Sequence, residues 1–441
     1  MSDTLGLIGL ALLGTLASSL LALIPALHIY NVVGLLIAGA GALSGVLSAD
    51  QLALLLLGMI IGYAMLSTIP SVLLAAPDES SAFVVLPGQK WLLQQRGYEA
   101  VVLTGVGALC GLGVMVIASP IAGEATRVLS IIVSPHLGWI LAAIIAFMLM
   151  SEWPKSGERG SSGLARFRSA WTGLGAGLLT FVLSGVLGFI IMYHSPVPTE
   201  LSFQNLLPAF IGLFAIPMVL TNLLMGTRVP EQHIATSIDV TPLALFRGAV
   251  AGTLGGLFAA FFPVVTGGVG GFLAGHATAQ RDDRSFIVSQ GASKFVYYVG
   301  GFLLFFLPGL HLTRGGLAAM AHTLFTPDTP QLYFTAVAAM AICGAASFGL
   351  LIVLSRLAIK VVARIDYRVI SWITLGILIG LVAITTGLGG LIVLVPAVAI
   401  GLIPTLFGSR RMNCLGVLLI PITLNMAGVG SDIARLLGLL P

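Results

Sequence analysis

Two stretches of the sequence, GTLASSLLALIPAL at residues 14–27 and GTLGGLFAAFFPVV at residues 252–265, align without a gap. Each begins with Gly-Thr-Leu, continues as an apolar run and reaches a proline at the same position of the alignment. A proline removes a backbone hydrogen-bond donor and clashes with the preceding helical turn. The two stretches therefore predict two helices, broken near Pro25 and Pro263, one in each half of the chain.

The composition predicts a protein that crosses a membrane. Hydrophobic residues make up 58% of the 441 residues and charged residues only 8%, whereas soluble domains carry roughly 25% charged residues. Two charge-free runs, residues 4–49 and 369–409, are long enough for two crossings each. Backbone groups in lipid must be satisfied within the structure, so runs this apolar predict helices.

We therefore predict an all-α polytopic membrane protein with about 12–14 transmembrane helices or half-helices. Two repeats, each opening with a proline-broken helix, are expected at residues 1–200 and 242–441, with a connecting span and loop at residues 201–241. The sequence leaves open whether the repeats are inverted or parallel, because that depends on the number of spans between them.

Basic residues cluster between the apolar runs, which predicts cytoplasmic loops of a multi-pass protein of the cell membrane. The clusters are Lys155, Arg159, Arg166 and Arg168, then Arg356, Lys360, Arg364 and Arg368, and finally Arg410 and Arg411. Because these residues are scattered between helices, they do not indicate a nucleic-acid partner.

The sequence contains no phosphate-binding GxxxxGK[ST] loop, no HExxH and no GxSxG. The three cysteines lie far apart inside apolar runs, so neither a disulfide framework nor a metal site is predicted. We therefore expect no enzymatic activity, no catalytic residue and no metal or cofactor, apart from Na⁺ or H⁺ as a coupling ion.

The half-helix that follows each break exposes unpaired N–H groups and the positive end of its dipole, which attract carboxylate or phosphate. A broken apolar segment repeated in both halves of a membrane protein is typical of a transporter binding site. The alternative is that proline and glycine only kink the helices for packing. The residues predicted to bind the substrate after the breaks are His28, Tyr30, Asn31, Thr266, Gly267 and Gly268.

Charged residues near the apolar runs give a second set of candidates, because charge in the membrane zone is costly and is usually functional or paired. Arg284 and Lys294 are predicted to neutralise an anionic substrate, and Asp78 and Asp283 to bind the coupling ion. The alternatives are that the acidic and basic residues form ion pairs in interfacial loops, and that His28 is a hydrogen-bonded core residue.

The segments Ile24–Asn31 and Phe262–Gly268, together with the loop Ala75–Gly97, resemble the TctA family, the large permease subunits of tripartite tricarboxylate transporters. The residues after the first break resemble the stand-alone, archaeal-type branch. The resemblance implies import of a di- or tricarboxylate coupled to Na⁺ or H⁺. A small membrane subunit and a periplasmic binding protein accompany the usual family member but need not accompany the stand-alone branch, and a homodimer is left open.

Three functions are weighed on this basis. The first is a secondary-active transporter of a small organic anion that binds between the two broken helices at mid-membrane. The second is a transporter of a polyprenyl phosphate or another anionic lipid carrier, which predicts an opening between helices toward the lipid. The third is a membrane scaffold or an intramembrane enzyme, which predicts that Pro263, Thr266 and Arg284 tolerate substitution.

Overall fold

A computed structural model describes residues 2–25, 27–39, 47–74, 76, 80, 85–153, 162–198, 205–225, 230–278 and 282–441. Most of these residues are helical and none of them lies in a β-strand. The predicted all-α class is therefore confirmed.

The described helices before residue 230 are α1 (Ser2–Leu21), α2 (Ile29–Ala38), α3 (Ala49–Leu66), α4 (Thr68–Leu73), α5 (Val85–Leu93), α6 (Gly97–Val133), α7 (Leu137–Met150), α8 (Gly163–Tyr193), α9 (Leu207–Phe210) and α10 (Ile216–Met225). A 3₁₀ turn at Ser134–His136 joins α6 to α7, and a π-helix at Ile211–Ala215 joins α9 to α10.

The described helices after residue 230 are α11 (Pro242–Phe261), α12 (Gly267–Ala277), α13 (Asp283–Phe295), α14 (Gly301–Leu303), α15 (Gly315–His322), α16 (Pro330–Val362), α17 (Tyr367–Phe407), α18 (Gly416–Met426) and α19 (Gly430–Leu436). A π-helix at Val296–Gly300 continues α13 into α14, and 3₁₀ turns occupy Leu304–Phe306 and Arg411–Leu415. A non-helical glycine, Gly387, with φ 63° and ψ −156°, breaks α17 in two.

Long apolar helices make the chain a multi-pass membrane protein. Within the described residues, eight helical stretches are long and apolar enough to cross a membrane, or nine if the bent pair Arg411–Met426 and Gly430–Leu436 counts as one span. Large apolar side chains such as Ile117, Trp139 and Ile384 are more than four-fifths exposed on the chain, as expected for surfaces that face lipid. The predicted number of 12–14 also included half-helices, which are too short for this count.

Both helices that carry the repeated motif are broken where the sequence predicts. The first ends at Leu21 and the chain resumes as α2 after His28, while the second ends at Phe261 and the chain resumes as α12 after Thr266. Between Pro263 and Thr266, Val264 has φ 58°, a left-handed conformation that is costly for a β-branched residue. The backbone is therefore strained at the second break.

The two motif helices also pack in the same manner. A Cβ on Gly14 of α1 would lie 2.2 Å from the carbonyl oxygen of Leu55 on α3, and a Cβ on Gly252 of α11 would lie 2.2 Å from that of Ser289 on α13. These two glycines are the first residues of the two aligned stretches and so occupy matching positions of the repeat. Glycine at such positions lets membrane helices approach closely, so α3 and α13 are equivalent neighbours of the two motif helices.

The chain forms two compact units, Met1–Val128 with Gly226–Ile370, and Leu129–Met225 with Ser371–Pro441. The first unit contains both broken helices and their neighbours α3 and α13. In the second unit α8 packs closely on α18, where a Cβ on Gly188 would lie 1.9 Å from the carbonyl oxygen of Val417. The Glu152 carboxylate also accepts hydrogen bonds there from the Arg410 backbone N–H and the Asn413 amide, at 2.8 and 3.0 Å.

Candidate functional site

His28 holds the start of the half-helix after the first break. Its Nδ1 accepts a hydrogen bond from the backbone N–H of Tyr30 at 3.1 Å, which caps α2. Its Nε2 lies 2.9 Å from the hydroxyl oxygen of Tyr298, a residue of the other half of the chain. The ring of His28 therefore connects the first break to the π-helix that follows α13.

Aromatic rings surround His28. Its ring centroid lies 4.5 Å from that of Tyr30, 5.3 Å from that of Tyr63 and 5.8 Å from that of Tyr298. Tyr63 comes from α3 and meets Tyr298 edge-on at 5.7 Å. Three tyrosines with hydroxyl groups therefore line the first break from three different elements.

Thr266 holds the start of the half-helix after the second break. Its Oγ1 accepts a hydrogen bond from the backbone N–H of Val269 at 3.4 Å, and the carbonyl oxygen of Gly267 accepts one from the Ser293 hydroxyl at 2.6 Å. A Cβ on Gly267 would lie 3.0 Å from the Cα of Lys294. The glycine therefore lets the first turn of α12 lie directly against the turn of α13 that carries Lys294.

Lys294 is a charged side chain in the apolar core of the first unit, with only 2% of its surface exposed. Its Nζ donates hydrogen bonds to the hydroxyls of Ser67 at 3.0 Å and Thr68 at 2.8 Å, where α3 gives way to α4. Burying an ammonium group in a membrane protein is costly, and such groups mark ion and substrate pathways. Lys294 is thus the most informative charge in the described residues.

The two breaks meet neighbouring turns of one helix. Tyr298, which contacts His28, lies four residues after Lys294, which lies beside Gly267, so the separation along the axis is roughly 6 Å. We call the group His28, Thr266, Gly267, Lys294 and Tyr298 the two-break site. The structure thus brings together residues from both halves of the chain that the sequence analysis selected separately.

Two further predicted residues lie beside this group. Gly268 is buried in the first turn of α12. Asn31 is buried in the first turn of α2, and its amide nitrogen has no hydrogen-bond partner among the described residues. An orphaned amide costs roughly 1–3 kcal/mol, so this donor is available to a bound group.

Two of the remaining predicted residues, Arg284 and Asp283, lie away from the two-break site. Arg284 pairs with Asp239 at 2.8 Å, and Asp283 pairs with Lys90. Both lie at the start of α13, about ten residues before Lys294 and hence roughly 15 Å away along the helix. Asp78 lies outside the described residues.

The sequence analysis missed several polar residues of the site. Ser67, Thr68, Tyr63 and Tyr298 come from elements distant in sequence, and no local pattern marks them. Gln290 lies one turn before Lys294, is 2% exposed, and neither of its amide atoms has a hydrogen-bond partner among the described residues. Its i,i+4 spacing from Lys294 was a readable signal, because both side chains then lie on one helix face.

Within the described residues, no group of three or more His, Cys, Asp or Glu side chains is placed to hold a metal ion. The polar side-chain groups of the two-break site are instead two hydroxyls, an imidazole and one ammonium group. This set donates hydrogen bonds and carries positive charge, so its chemistry suits an anion.

Two capped half-helices that contact one helix with a buried lysine, in a multi-pass helical protein, are typical of membrane transporters with discontinuous helices. The model of the "Tripartite tricarboxylate transporter TctA family" matches residues 8–416, and the chain therefore belongs to that family. The "Uncharacterized protein MJ1079" of Methanocaldococcus jannaschii is 24% identical over 419 residues, which cover 93% of this chain and 96% of that protein. This archaeal relative agrees with the resemblance to the archaeal-type branch. No solved structure matches the chain.

Proposed function

We propose that the chain is a secondary-active transporter that carries a di- or tricarboxylate across the cell membrane, coupled to Na⁺ or H⁺, and that the carboxylate binds at the two-break site. The observation that carries this proposal is the buried Lys294 beside the capped start of α12. Family membership supports a carboxylate as the cargo. The family does not support the lipid-carrier alternative.

The electrostatics of the site favour an anion. The first turns of α2 and α12 direct backbone N–H groups and the positive ends of their dipoles toward the breaks. Lys294 adds a basic side chain that donates hydrogen bonds where little water competes. A carboxylate at this place would receive hydrogen bonds from both repeats, so binding would couple the two halves of the chain.

The proposed coupling to Na⁺ or H⁺ and the proposed partners rest on the sequence alone. Asp283 is occupied by Lys90 in this state, so any role in cation binding requires that this ion pair opens. Asp78 remains the other candidate. The sequence leaves a homodimer and accessory subunits open, and uptake by the protein alone tests whether such partners are required.

Uptake into proteoliposomes tests the proposal. Labelled citrate, tricarballylate, succinate and fumarate are offered with an inward Na⁺ gradient, an inward proton gradient, or none. We expect uptake of at least one of them that depends on a gradient. No uptake of any of the four under any gradient would refute the proposed function.

Substitution of Lys294 tests the site. Lys294→Gln should lower uptake about tenfold or more, since a hydrogen bond to a charged group is worth roughly 1.5–3 kcal/mol. The matched control is Lys360→Gln, because Lys360 is exposed near the end of α16. Both variants are compared at equal membrane yield and equal melting temperature. If a folded Lys294→Gln protein transports like the parent, the cargo does not bind where we propose.

A further inference from the structure

Arg314 lies beside the second break and was not selected from the sequence. It occupies the segment between the 3₁₀ turn Leu304–Phe306 and α15. Its guanidinium carbon lies 5.8 Å from the ring centroid of Phe261, the last residue of α11. Its Nε is buried without a hydrogen-bond partner, and the guanidinium forms no ion pair with any residue that the structure describes.

The same segment also touches the first break. A Cβ on Gly316 would lie 3.0 Å from ring carbons of Tyr30, and a Cβ on Gly315 would lie 3.4 Å from the Tyr30 hydroxyl. Tyr30 in turn contacts the ring of His28. One short segment, Arg314–Gly316, therefore packs against both broken helices.

The geometry points to Arg314 as a second anion-binding residue, which binds one carboxylate of the cargo while Lys294 binds another. This inference rests on the proposed function and deepens it. A guanidinium presents a planar fork of N–H donors that matches a carboxylate in a two-point contact. A partly buried arginine that pairs with no described side chain has this fork available for a ligand.

Two basic residues beside one break suit a cargo with more than one carboxylate. The backbone oxygen of Arg314 lies 3.6 Å from where a Cβ on Gly301 would stand. Gly301 follows Lys294 by seven residues, roughly 10 Å along the helix axis. The Arg314 guanidinium lies over Phe261 before the second break, and the Cα of Lys294 lies against Gly267 after it, so the two residues flank the segment Phe262–Thr266. A monocarboxylate has one anionic group for these two basic residues, whereas a dicarboxylate has one for each.

The experiment compares a diacid with its own monoamide. Of the two dicarboxylates in the panel, succinate and fumarate, the one that the parent protein takes up better is used with its monoamide as competitor. The amide keeps the size of the cargo and removes one negative charge. The variants are Arg314→Gln, Arg314→Lys and the control Arg364→Gln, whose side chain is exposed beyond α16.

In the parent protein and in Arg364→Gln, the monoamide should compete about tenfold more weakly than the unmodified acid, because the monoamide loses one charge-assisted contact. In Arg314→Gln the KM of the acid should rise about tenfold. The ratio of the monoamide's inhibition constant to that of the acid should fall toward one. Arg314→Lys, which keeps the charge but loses the fork, should lie between the two. Folding is checked by stabilisation of each detergent-purified variant at saturating acid.

The outcomes separate the two proposals. If the parent takes up one of the carboxylates but Arg314→Gln keeps both the KM and the ratio of the parent, Arg314 does not bind cargo and the proposed function stands. If Arg314→Gln does not fold, an unchanged ratio in Arg314→Lys refutes the inference and a reduced ratio supports it. Failure of the parent to take up any of the four carboxylates refutes the proposed function, and the inference with it.

Discussion

Single polar residues give the two-break site its chemistry, because the helices around it are apolar. Gln290 is the clearest case after Lys294. Its buried amide offers a donor and an acceptor that no described residue uses, and each unmet group costs roughly 1–3 kcal/mol. Replacing such a residue with an apolar one of similar shape can be neutral or stabilising. Its presence is therefore better explained by a ligand than by folding.

We predict that Gln290→Leu keeps or raises the melting temperature and lowers carboxylate uptake several-fold. The measurement pairs a thermal melt in detergent with uptake at subsaturating substrate. Gln331→Leu, at an exposed position near the start of α16, is the control and should change neither quantity. A Gln290→Leu protein that is clearly less stable than the parent would mean that the amide serves the fold.

The sequence alone identifies some residues of the site and not others, and the reason is physical. Lys294 could be predicted because a charged residue flanked by apolar residues stands out in the sequence. Arg314 could not, because its relevance comes from contact with Phe261 and from its place beside Tyr30 at the first break, and both are distant from it in sequence. Arg284 was selected for its charge, but its ion pair with Asp239 becomes visible only in three dimensions.

At the scale of elements, the broken helices are the features that the sequence predicted most closely. Proline explains both interruptions, and the capping residues His28 and Thr266 each stand three residues after the proline of their own repeat. The sequence did not indicate the break between α3 and α4 at Ser67, because Pro70 lies inside α4 and not at its start. It also could not indicate the π-helix Val296–Gly300 that orients Tyr298.

We predict that Pro263→Ala lowers uptake at least several-fold while the protein remains in the membrane. Alanine removes the constraint on φ and restores a backbone donor, so the end of α11 can lengthen and shift the Thr266 cap. Pro120→Ala is the control, since Pro120 lies inside the continuous helix α6. Equal uptake by the parent and a correctly inserted Pro263→Ala variant would show that the second break does not shape the binding site.

At the scale of the whole molecule, composition and charge-free runs sufficed to predict a helical multi-pass protein. They could not predict the two compact units, each of which combines segments from both halves of the chain. The repeat boundaries at residues 1–200 and 242–441 stay a prediction. The equivalent packing of α1 on α3 and of α11 on α13 within the first unit is the structural counterpart of the repeated motif.

A cryo-EM map of the protein with the carboxylate that it takes up best would show directly whether the cargo binds at the two-break site. We predict density for that carboxylate between the first turns of α2 and α12, with oxygen atoms within hydrogen-bond distance of the Lys294 ammonium group. Carboxylate density away from both breaks, with Lys294 out of reach, would contradict it.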